Sequence, residues 1–210
     1  MIRLMSLQAH ELACRRGDRL LFENLSFQTS AGELLVIEGH NGCGKTTLLK
    51  TLVSLRQPDE GYISWQQQAI DKIADEYRSE LFWLGHHNAI KLDLTAFENV
   101  SIACALRDLS VSEDEVMQAL DDMGLYGYEE LPVRSLSQGQ KRRTALAFLL
   151  LTQASLWVLD EPFTALDVKA VDFLQGVISQ HIDKGGMAIL TTHQQVDLTS
   201  GQVNRLNLAA

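Results

Sequence analysis

The chain has 210 residues, of which 46% are hydrophobic and 21% charged, as expected for one globular domain with a substantial core. Its formal net charge of −9 argues against a general nucleic-acid binder, because such proteins need a basic face to displace counterions from phosphates. Its three cysteines fit no disulfide framework or metal spacing, and no apolar run approaches the roughly 20 residues of a membrane span. We therefore expect a soluble protein from a reducing compartment that meets a membrane only through a partner.

The first third of the chain reads as strands around one helix. The Leu-Leu-Val-Ile core of Glu33–Glu38 is a continuous apolar run, typical of a strand buried on both faces of a parallel sheet. Turn residues at Arg16–Asp18 and Pro58–Gly61 separate the other elements. In chain order the predictions are strands at Leu4–Cys14, Leu20–Gln28 and Glu33–Glu38, a helix near Thr46–Leu55 and a strand at Tyr62–Trp65.

Helical and strand-like segments alternate in the remainder. Residues 88–134 are predicted to be helical, with a capping box at Ser112 and Glu115 and a helix end at Gly124. Strands alternating with helices predict an α/β sheet, here interrupted by a helical insertion. Further predicted elements are helices at Gln138–Leu151 and Val168–Asp183 and strands at Ser155–Leu159, Met187–Thr192 and Val203–Leu208.

A glycine-rich loop follows the buried third strand. The residues Gly39, His40, Asn41, Gly42, Cys43, Gly44, Lys45 and Thr46 match the phosphate-binding pattern G-x-x-x-x-G-K-[ST]. Glycines let backbone N–H groups surround phosphate oxygens, and the next helix directs its unpaired N–H groups toward the anion. We expect Lys45 to reach the β- and γ-phosphates, Thr46 to ligate Mg²⁺ and Thr47 to contact the α-phosphate. Cys43 is either a small loop residue or a redox-active thiol.

Two carboxylates end the later apolar strand. Asp160 is placed to hold Mg²⁺, usually through water, and Glu161 to polarise the attacking water as a general base. An acidic strand end alone is a weak indication, because chains often leave a strand through acidic residues. After a phosphate loop it becomes a strong one, and it predicts hydrolysis of the bound nucleotide.

A third motif, Leu136–Gln140, opens the predicted helix that precedes this strand. Ser137 alone is explained as a helix N-cap. Together with the phosphate loop and the two carboxylates, the motif resembles the signature LSGGQ of the ABC transporter ATP-binding subunits. Phe163–Asp167 resembles the D-loop of that family, and Thr191–His193 resembles the segment carrying its switch histidine.

The resemblance implies a fold, a partner copy and roles for further residues. The fold is a P-loop NTPase core of mixed sheet and helices with an antiparallel β subdomain and a small helical subdomain, the core being 1–87 with 135–210. ATP and Mg²⁺ would be bound between two copies of the chain, the phosphate loop of one facing Ser137 and Gly139 of the other. His193 would contact the γ-phosphate and Glu161, and Asp167 would link the two sites.

Three positions depart from the family pattern. Gln138 replaces the first signature glycine, a change common in the family that we expect to be tolerated. His87 stands where the family has a glutamine that senses Mg²⁺ and water, and imidazole is shorter and titratable. Arg16 stands where an aromatic side chain usually stacks on adenine; its guanidinium plane could do so, or it is a solvated turn residue.

Narrower details resemble the ATPase subunits of cytochrome c maturation systems. The segments are Arg15–Gly17, Leu84–His86, Leu94–Asn99, Glu161–Asp167 and Thr191–Gln194. This resemblance implies a peripheral subunit on the cytoplasmic face of the bacterial inner membrane, bound to integral subunits of the CcmB and CcmC type. ATP hydrolysis would serve the release of a haem-loaded chaperone of the CcmE type, and no nucleic acid would be involved.

Other classes of ABC ATPase fit the sequence less well. The main alternative to a cytochrome c maturation subunit is an ATPase subunit of another small exporter or importer. An ABC ATPase acting on chromosomes needs a long coiled coil between its two halves, and the interval between His87 and Leu136 is too short for one. A translation-associated ABC protein normally has two cassettes in one chain, and this chain has one.

Overall fold

The computed structural model describes residues 5–193 and 201–208. The chain divides into two compact units. The first comprises Met1–Trp83, Ala154–Pro162 and Ile178–Ala210, and the second comprises Leu84–Gln153 and Phe163–Val177. Over the described ranges, none of the helices combines the length and the apolar character needed to cross a membrane.

An antiparallel sheet of four strands belongs to the first unit. Its strand order is β2-β1-β4-β5, and the first two strands form a hairpin closed by the two-residue turn Gly17–Asp18. Gly17 has φ 59°, a left-handed conformation that glycine adopts without steric cost. The strands are β1 (Ser6–Arg16), β2 (Arg19–Ser30), β4 (Glu60–Trp65) and β5 (Gln68–Ala69), with β3 (Glu33–Glu38) in the other sheet.

The five-stranded sheet has the order β6-β7-β8-β3-β9, with β3 parallel to both β8 and β9 and β7 parallel to β8. All residues of β7 and β8 are buried, which explains their continuous apolar sequences. Parallel register brings the carboxyl ends of β3, β7 and β8 to one edge, where ligands bind in open α/β sheets. The remaining strands are β6 (Leu81–Leu84), β7 (Leu156–Asp160), β8 (Met187–Thr191) and β9 (Gln202–Asn207).

Capping boxes begin three of the helices in the second unit. Each begins with a hydroxyl side chain that accepts from the backbone N–H three residues on, reciprocated by a Glu or Gln side chain. The bond from Ser112 also lowers the pKa of Glu115. The helices are α1 (Lys45–Leu52) and α2 (Ala74–Ser79) in the first unit, α3 (Ala96–Ala105), α4 (Glu113–Asp122) and α5 (Gln138–Ala147) in the second, and α6 (Val168–Asp183), which spans both; short 3₁₀ turns lie at Val133–Ser135 and Phe148–Leu150.

The α/β fold predicted from the sequence is confirmed, and the bounds of β3 and α6 are those predicted. The helix predicted at Gln138–Leu151 ends earlier, at Ala147, and continues as a single 3₁₀ turn. The predictions missed β5, α2 and β6. The reason is their length, since α2 has 6 residues and β6 has 4, too short to show a period. Leu4 lies outside the described residues.

A half-buried histidine is expected to make the stability of the first unit depend on pH. The ring of His181 stacks on Trp157 at 3.8 Å, and its Nε2 lies 3.2 Å from the carbonyl oxygen of Met187. Burial lowers the pKa of His181 below its ordinary value of 6.5. The unfolded chain therefore binds the proton more readily, so stability falls as pH drops below about 6.5, by at most ~1.4 kcal/mol per pH unit.

We expect the substitution His181→Phe, which keeps the stack on Trp157, to flatten this pH dependence. The measurement is the free energy of urea unfolding at pH 7.5 and pH 5.0 for both proteins. An equally steep loss of stability in the variant would assign the effect to other groups.

Candidate nucleotide-binding site

The loop between β3 and α1 turns through glycines. Gly39, Gly42 and Gly44 have φ of 146°, 81° and 114°, values that a Cβ disfavours. Gly44 precedes α1, and no side chain caps that helix. Its first N–H groups are thus available to an anion, and they carry the positive end of the helix dipole.

Lys45 is held across this loop. Its Nζ donates to the carbonyl oxygens of Gly39 at 2.6 Å and His40 at 3.3 Å, and the residue is 7% exposed. A buried ammonium group surrounded by loop backbone is a strong attractor for phosphate. Of the other predicted loop contacts, Cys43 is buried, Thr47 is half-buried, and His40, Asn41, Gly42 and Thr46 are exposed.

Hard oxygen donors converge beside the loop. Thr46 Oγ1 donates to Asp160 Oδ2 at 2.8 Å, so the structure brings together two of the three residues predicted to hold Mg²⁺. Asp160 is 2% exposed at the end of β7. One hydroxyl and one carboxylate fit Mg²⁺, which in phosphate sites takes one or two carboxylates and completes its octahedron with phosphate oxygens and water.

Glu161 and His193 also meet at this edge. His193 Nε2 lies 3.3 Å from Glu161 Oε1, and both side chains are partly exposed, as groups that act on a ligand must be. Glu161 has φ 49°, a left-handed conformation that is uncommon for a residue with a Cβ. Such strain is found where a fold fixes a functional side chain. Gln194, part of the segment Thr191–Gln194, lies outside the described residues.

Thr191 was missed as a site residue by sequence reasoning. Its hydroxyl donates to Asp160 Oδ1 at 2.7 Å and accepts from the backbone N–H of Glu161 at 3.0 Å. The parallel register that pairs Asp160 with Thr191 creates both contacts. The only indication in the sequence was a polar residue ending an apolar strand two residues before His193. Thr191 therefore positions both carboxylate-bearing residues.

We expect Thr191→Val to lower kcat for ATP hydrolysis about tenfold to a hundredfold. The physical reason is loss of a hydrogen bond to a buried carboxylate, worth about 1.5–3 kcal/mol, together with the partner of the Glu161 N–H. Steady-state ATPase assays give kcat and KM. Thr191→Ser, which keeps the hydroxyl, is the control and should retain most activity; equal loss in both variants would assign the effect to packing.

The signature motif lies in the second unit, at the start of α5. Ser137 Oγ accepts from the N–H of Gln140 at 3.2 Å, so the N-cap role considered from the sequence is present. A Cβ on Gly139 would lie 2.8 Å from the carbonyl oxygen of Ala165. Glycine is thus required at position 139 by a neighbouring backbone, whatever its ligand role.

Two arginines of α5 stabilise the neighbouring segments of the second unit. Arg143 Nη2 donates to Asp167 Oδ2 at 2.6 Å, and Asp167 also accepts from the N–H of Ala170. The Ala170 bond, followed by Arg143, lowers the pKa of Asp167. Arg142 is 4% exposed and donates to Gly85 O and Asn88 Oδ1, on either side of His87. Sequence reasoning had not assigned this contact.

Of the three positions that depart from the family pattern, His87 and Arg16 were expected to contact the nucleotide or its metal, and both are exposed. His87 belongs to the second unit, with its ring 5.5 Å from that of His86. Arg16 is the last residue of β1, in the first unit, opposite Arg19 across the hairpin. Asp160 and Thr46 also lie in the first unit and His87 in the second, and the contact of His87 with Mg²⁺ stays a prediction.

Comparison with protein families matches residues 22–164 to the ABC transporter family. Three relatives are called cytochrome c biogenesis ATP-binding export protein CcmA. That of Dechloromonas aromatica is 50% identical, over 96% of this chain and 99% of its own. Those of Nitrosomonas europaea and Escherichia coli K12 are 49% and 46% identical, over 97% and 96% of this chain and 95% and 96% of their own.

Solved structures of ABC ATP-binding proteins share this fold. An ABC transporter ATP-binding protein from Pyrococcus furiosus superimposes with a TM-score of 0.82 at 26% identity, over 97% of both chains. A dimeric ATP-binding cassette in a post-hydrolysis state, bound to ADP and phosphate, superimposes with a TM-score of 0.77 at 20% identity, over 90% of this chain and 88% of its own.

Proposed function

We propose, on the premise that this chain belongs to the ABC transporter family and is one of its ATP-hydrolysing subunits, that it serves cytochrome c biogenesis. The observation that carries the proposal is the 50% identity, over nearly the whole length of both chains, to a CcmA protein. Identity at that level, over 96% of this chain and 99% of the relative, supports a shared partner surface as well as a shared active site.

Residues of the first unit would bind the phosphates of ATP and hydrolyse it. Lys45 would neutralise β- and γ-phosphate oxygens, and the α1 N-terminus would bind them through backbone N–H groups. Mg²⁺, held by Thr46 and Asp160, would supply further charge neutralisation at these oxygens. Glu161 would accept a proton from the attacking water. The water oxygen would bond to the γ-phosphorus while the bond between that phosphorus and the β-phosphate oxygen of the departing ADP breaks. His193 and Thr191 would keep Glu161 in place.

A second copy of the chain would complete each site. Ser137 and Gly139 of that copy would present the N-terminus of α5 to the γ-phosphate, where the helix dipole favours negative charge. Asp167, fixed by Arg143 and Ala170, would link the two sites. ATP would then join the two copies, and hydrolysis would weaken the interface.

The membrane-associated assembly is the finer part of the proposal. By similarity to the CcmA relatives, the subunit would lie on the cytoplasmic face of the inner membrane with CcmB-like and CcmC-like subunits. Its hydrolysis cycle would release a haem-loaded CcmE-like chaperone on the other side. We also propose that residues 88–134, which contain α3 and α4, form the helical subdomain, with 1–87 and 135–210 as catalytic core.

Deletion of the gene, followed by haem staining of c-type cytochromes, tests this assignment. We expect their loss, restored by the wild-type gene and not by a copy carrying Glu161→Gln. Haem b absorbance in the same membranes is the control for haem synthesis and should be unchanged. Normal levels of c-type cytochromes in the deletion strain would instead favour the alternative function, an ATPase subunit of another small exporter or importer.

A further inference from the structure

Three arginines lie close together at the closed end of the β1–β2 hairpin. Arg15, Arg16 and Arg19 fall within five residues of a chain whose net charge is −9. Arg16 and Arg19 are directly opposite each other across the hairpin, both exposed. Like charges directly opposite in an antiparallel pair are destabilising. An arrangement that is unfavourable for the hairpin alone is favourable beside an anionic or electron-rich ligand.

The hairpin packs directly on the phosphate loop. A Cβ built on Gly44 would lie 3.1 Å from Leu21 Cβ and 3.3 Å from the Phe22 ring, both in the first residues of β2. Phosphates bound at the α1 N-terminus would therefore lie beside the first residues of β2. The nucleoside end of the same ligand would extend from there, and Arg15, Arg16 and Arg19 are the arginine and lysine residues of the hairpin Ser6–Ser30.

The backbone at the end of β1 is held by side chains where its neighbouring strand stops. On that side β4 pairs with β1 only as far as Ala13, opposite Glu60. Beyond it, Asp59 Oδ2 accepts from the N–H of Arg15 at 2.7 Å, and Arg56 Nη2 donates to the carbonyl oxygen of Arg15. Asp59 also donates its own N–H to Ala13 O at 2.8 Å.

Arg56 and Asp59 therefore act together on the backbone N–H and carbonyl groups of Arg15. They are themselves an ion pair, with Arg56 Nη2 3.5 Å from Asp59 Oδ2. Because surface ion pairs alone contribute little, their two bonds to the Arg15 backbone are the more informative feature. They replace a missing strand partner and fix the chain immediately before Arg16.

We infer that Arg56 and Asp59 are positioning residues for the base end of the nucleotide site, acting through Arg16. This inference rests on the proposed ATPase function and on the base contact expected of Arg16, and it adds two residues that position that contact. The guanidinium of Arg16, with Arg19 opposite, offers a cationic plane to the face of a purine base. Because the backbone before Arg16 is already fixed, less conformational entropy is lost when the nucleotide binds. This preorganisation raises the affinity for nucleotide.

A double-mutant cycle on the full-length chain tests the inference. We expect Arg16→Ala, Arg56→Ala and Asp59→Ala each to raise the Kd for MgATP by roughly five- to tenfold, the range for loss of one cation–π or stacking contact. The Arg16→Ala/Arg56→Ala double variant should bind MgATP no more weakly than Arg16→Ala alone, since Arg56 acts through Arg16. Multiplying effects in the double variant would overturn the inference.

Inorganic tripolyphosphate separates a base effect from general damage to the site. Used as a competitor of MgATP, it should keep its wild-type affinity in all these variants, because it has no base. A parallel loss of tripolyphosphate affinity would show that the pair supports the whole site. The matched control is Arg78→Ala, which breaks another surface ion pair of the same i,i+3 spacing, with Asp75, and should leave ATP binding unchanged.

A conservative variant keeps the test informative if an alanine variant fails to fold. Asp59→Asn retains an oxygen that accepts from the Arg15 N–H, so it should keep most of the ATP affinity. A loss as large as that of Asp59→Ala would count against the positioning role. Wild-type protein that binds no MgATP would contradict the proposed function itself, whereas normal wild-type binding with unaffected variants would contradict only this inference.

Discussion

Replacing Lys45 with alanine is expected to weaken MgATP binding by a hundredfold or more. The substitution removes the ammonium group that bonds the carbonyl oxygens of Gly39 and His40 inside the phosphate loop. Charge-assisted bonds to phosphate are worth about 1.5–3 kcal/mol each, and Lys45 is placed to make more than one of them. Isothermal titration calorimetry with MgATP gives the two dissociation constants.

Lys50 supplies the matched control for this experiment. It lies on the same helix α1 and is exposed, so Lys50→Ala removes an equal charge without entering the loop. Its Kd should stay within about twofold of wild type, as expected for a screened surface charge. Unchanged ATP affinity in Lys45→Ala would remove the basis for a nucleotide site in this loop.

Glu161→Gln is expected to lower kcat by about a hundredfold to ten-thousandfold while leaving MgATP bound, since general-base catalysis contributes factors of that size. The amide has the shape of the carboxylate and an oxygen that can still meet His193, which lies 3.3 Å away. It cannot take a proton from the attacking water. Phosphate-release assays measure kcat, and a nucleotide-binding assay measures the retained affinity.

The same variant tests the two-copy site. With hydrolysis blocked, ATP should hold two chains together, so light scattering at saturating MgATP should give twice the monomer mass. Glu130→Gln, at an exposed position, is the control and should behave as wild type. A monomeric Glu161→Gln protein with ATP bound would contradict a nucleotide-sandwich dimer.

Much of the first unit could be predicted because its elements follow from local patterns. The apolar run of β3 and the glycines of the following loop fix both a buried strand and a phosphate-binding turn within a few residues. In the second unit, the capping box at Ser112 is likewise local, and the structure contains it. Such features depend on neighbours in sequence, which a single chain displays in full.

The contacts that were missed depend on tertiary register. Thr191 reaches Asp160 because β7 and β8 pair in parallel, a register that no local pattern specifies. Asp59 appeared only as part of a turn and Arg56 in no predicted element, because their partner Arg15 lies on a strand more than forty positions earlier. The base-contact role of Arg16 and the metal role of His87 stay proposals.

The left-handed backbone at Glu161 also restricts how this chain can change over evolutionary time. Besides glycine, that conformation favours asparagine and aspartate and penalises β-branched residues. A lineage that loses hydrolysis by substitution at position 161 should therefore pass through glycine, asparagine or aspartate far more often than through valine or isoleucine. Because the contacts of Lys45 and Thr46 in the phosphate loop do not involve the Glu161 side chain, we expect such a protein to keep its nucleotide-binding loop and to be able to acquire a non-catalytic role beside an active copy.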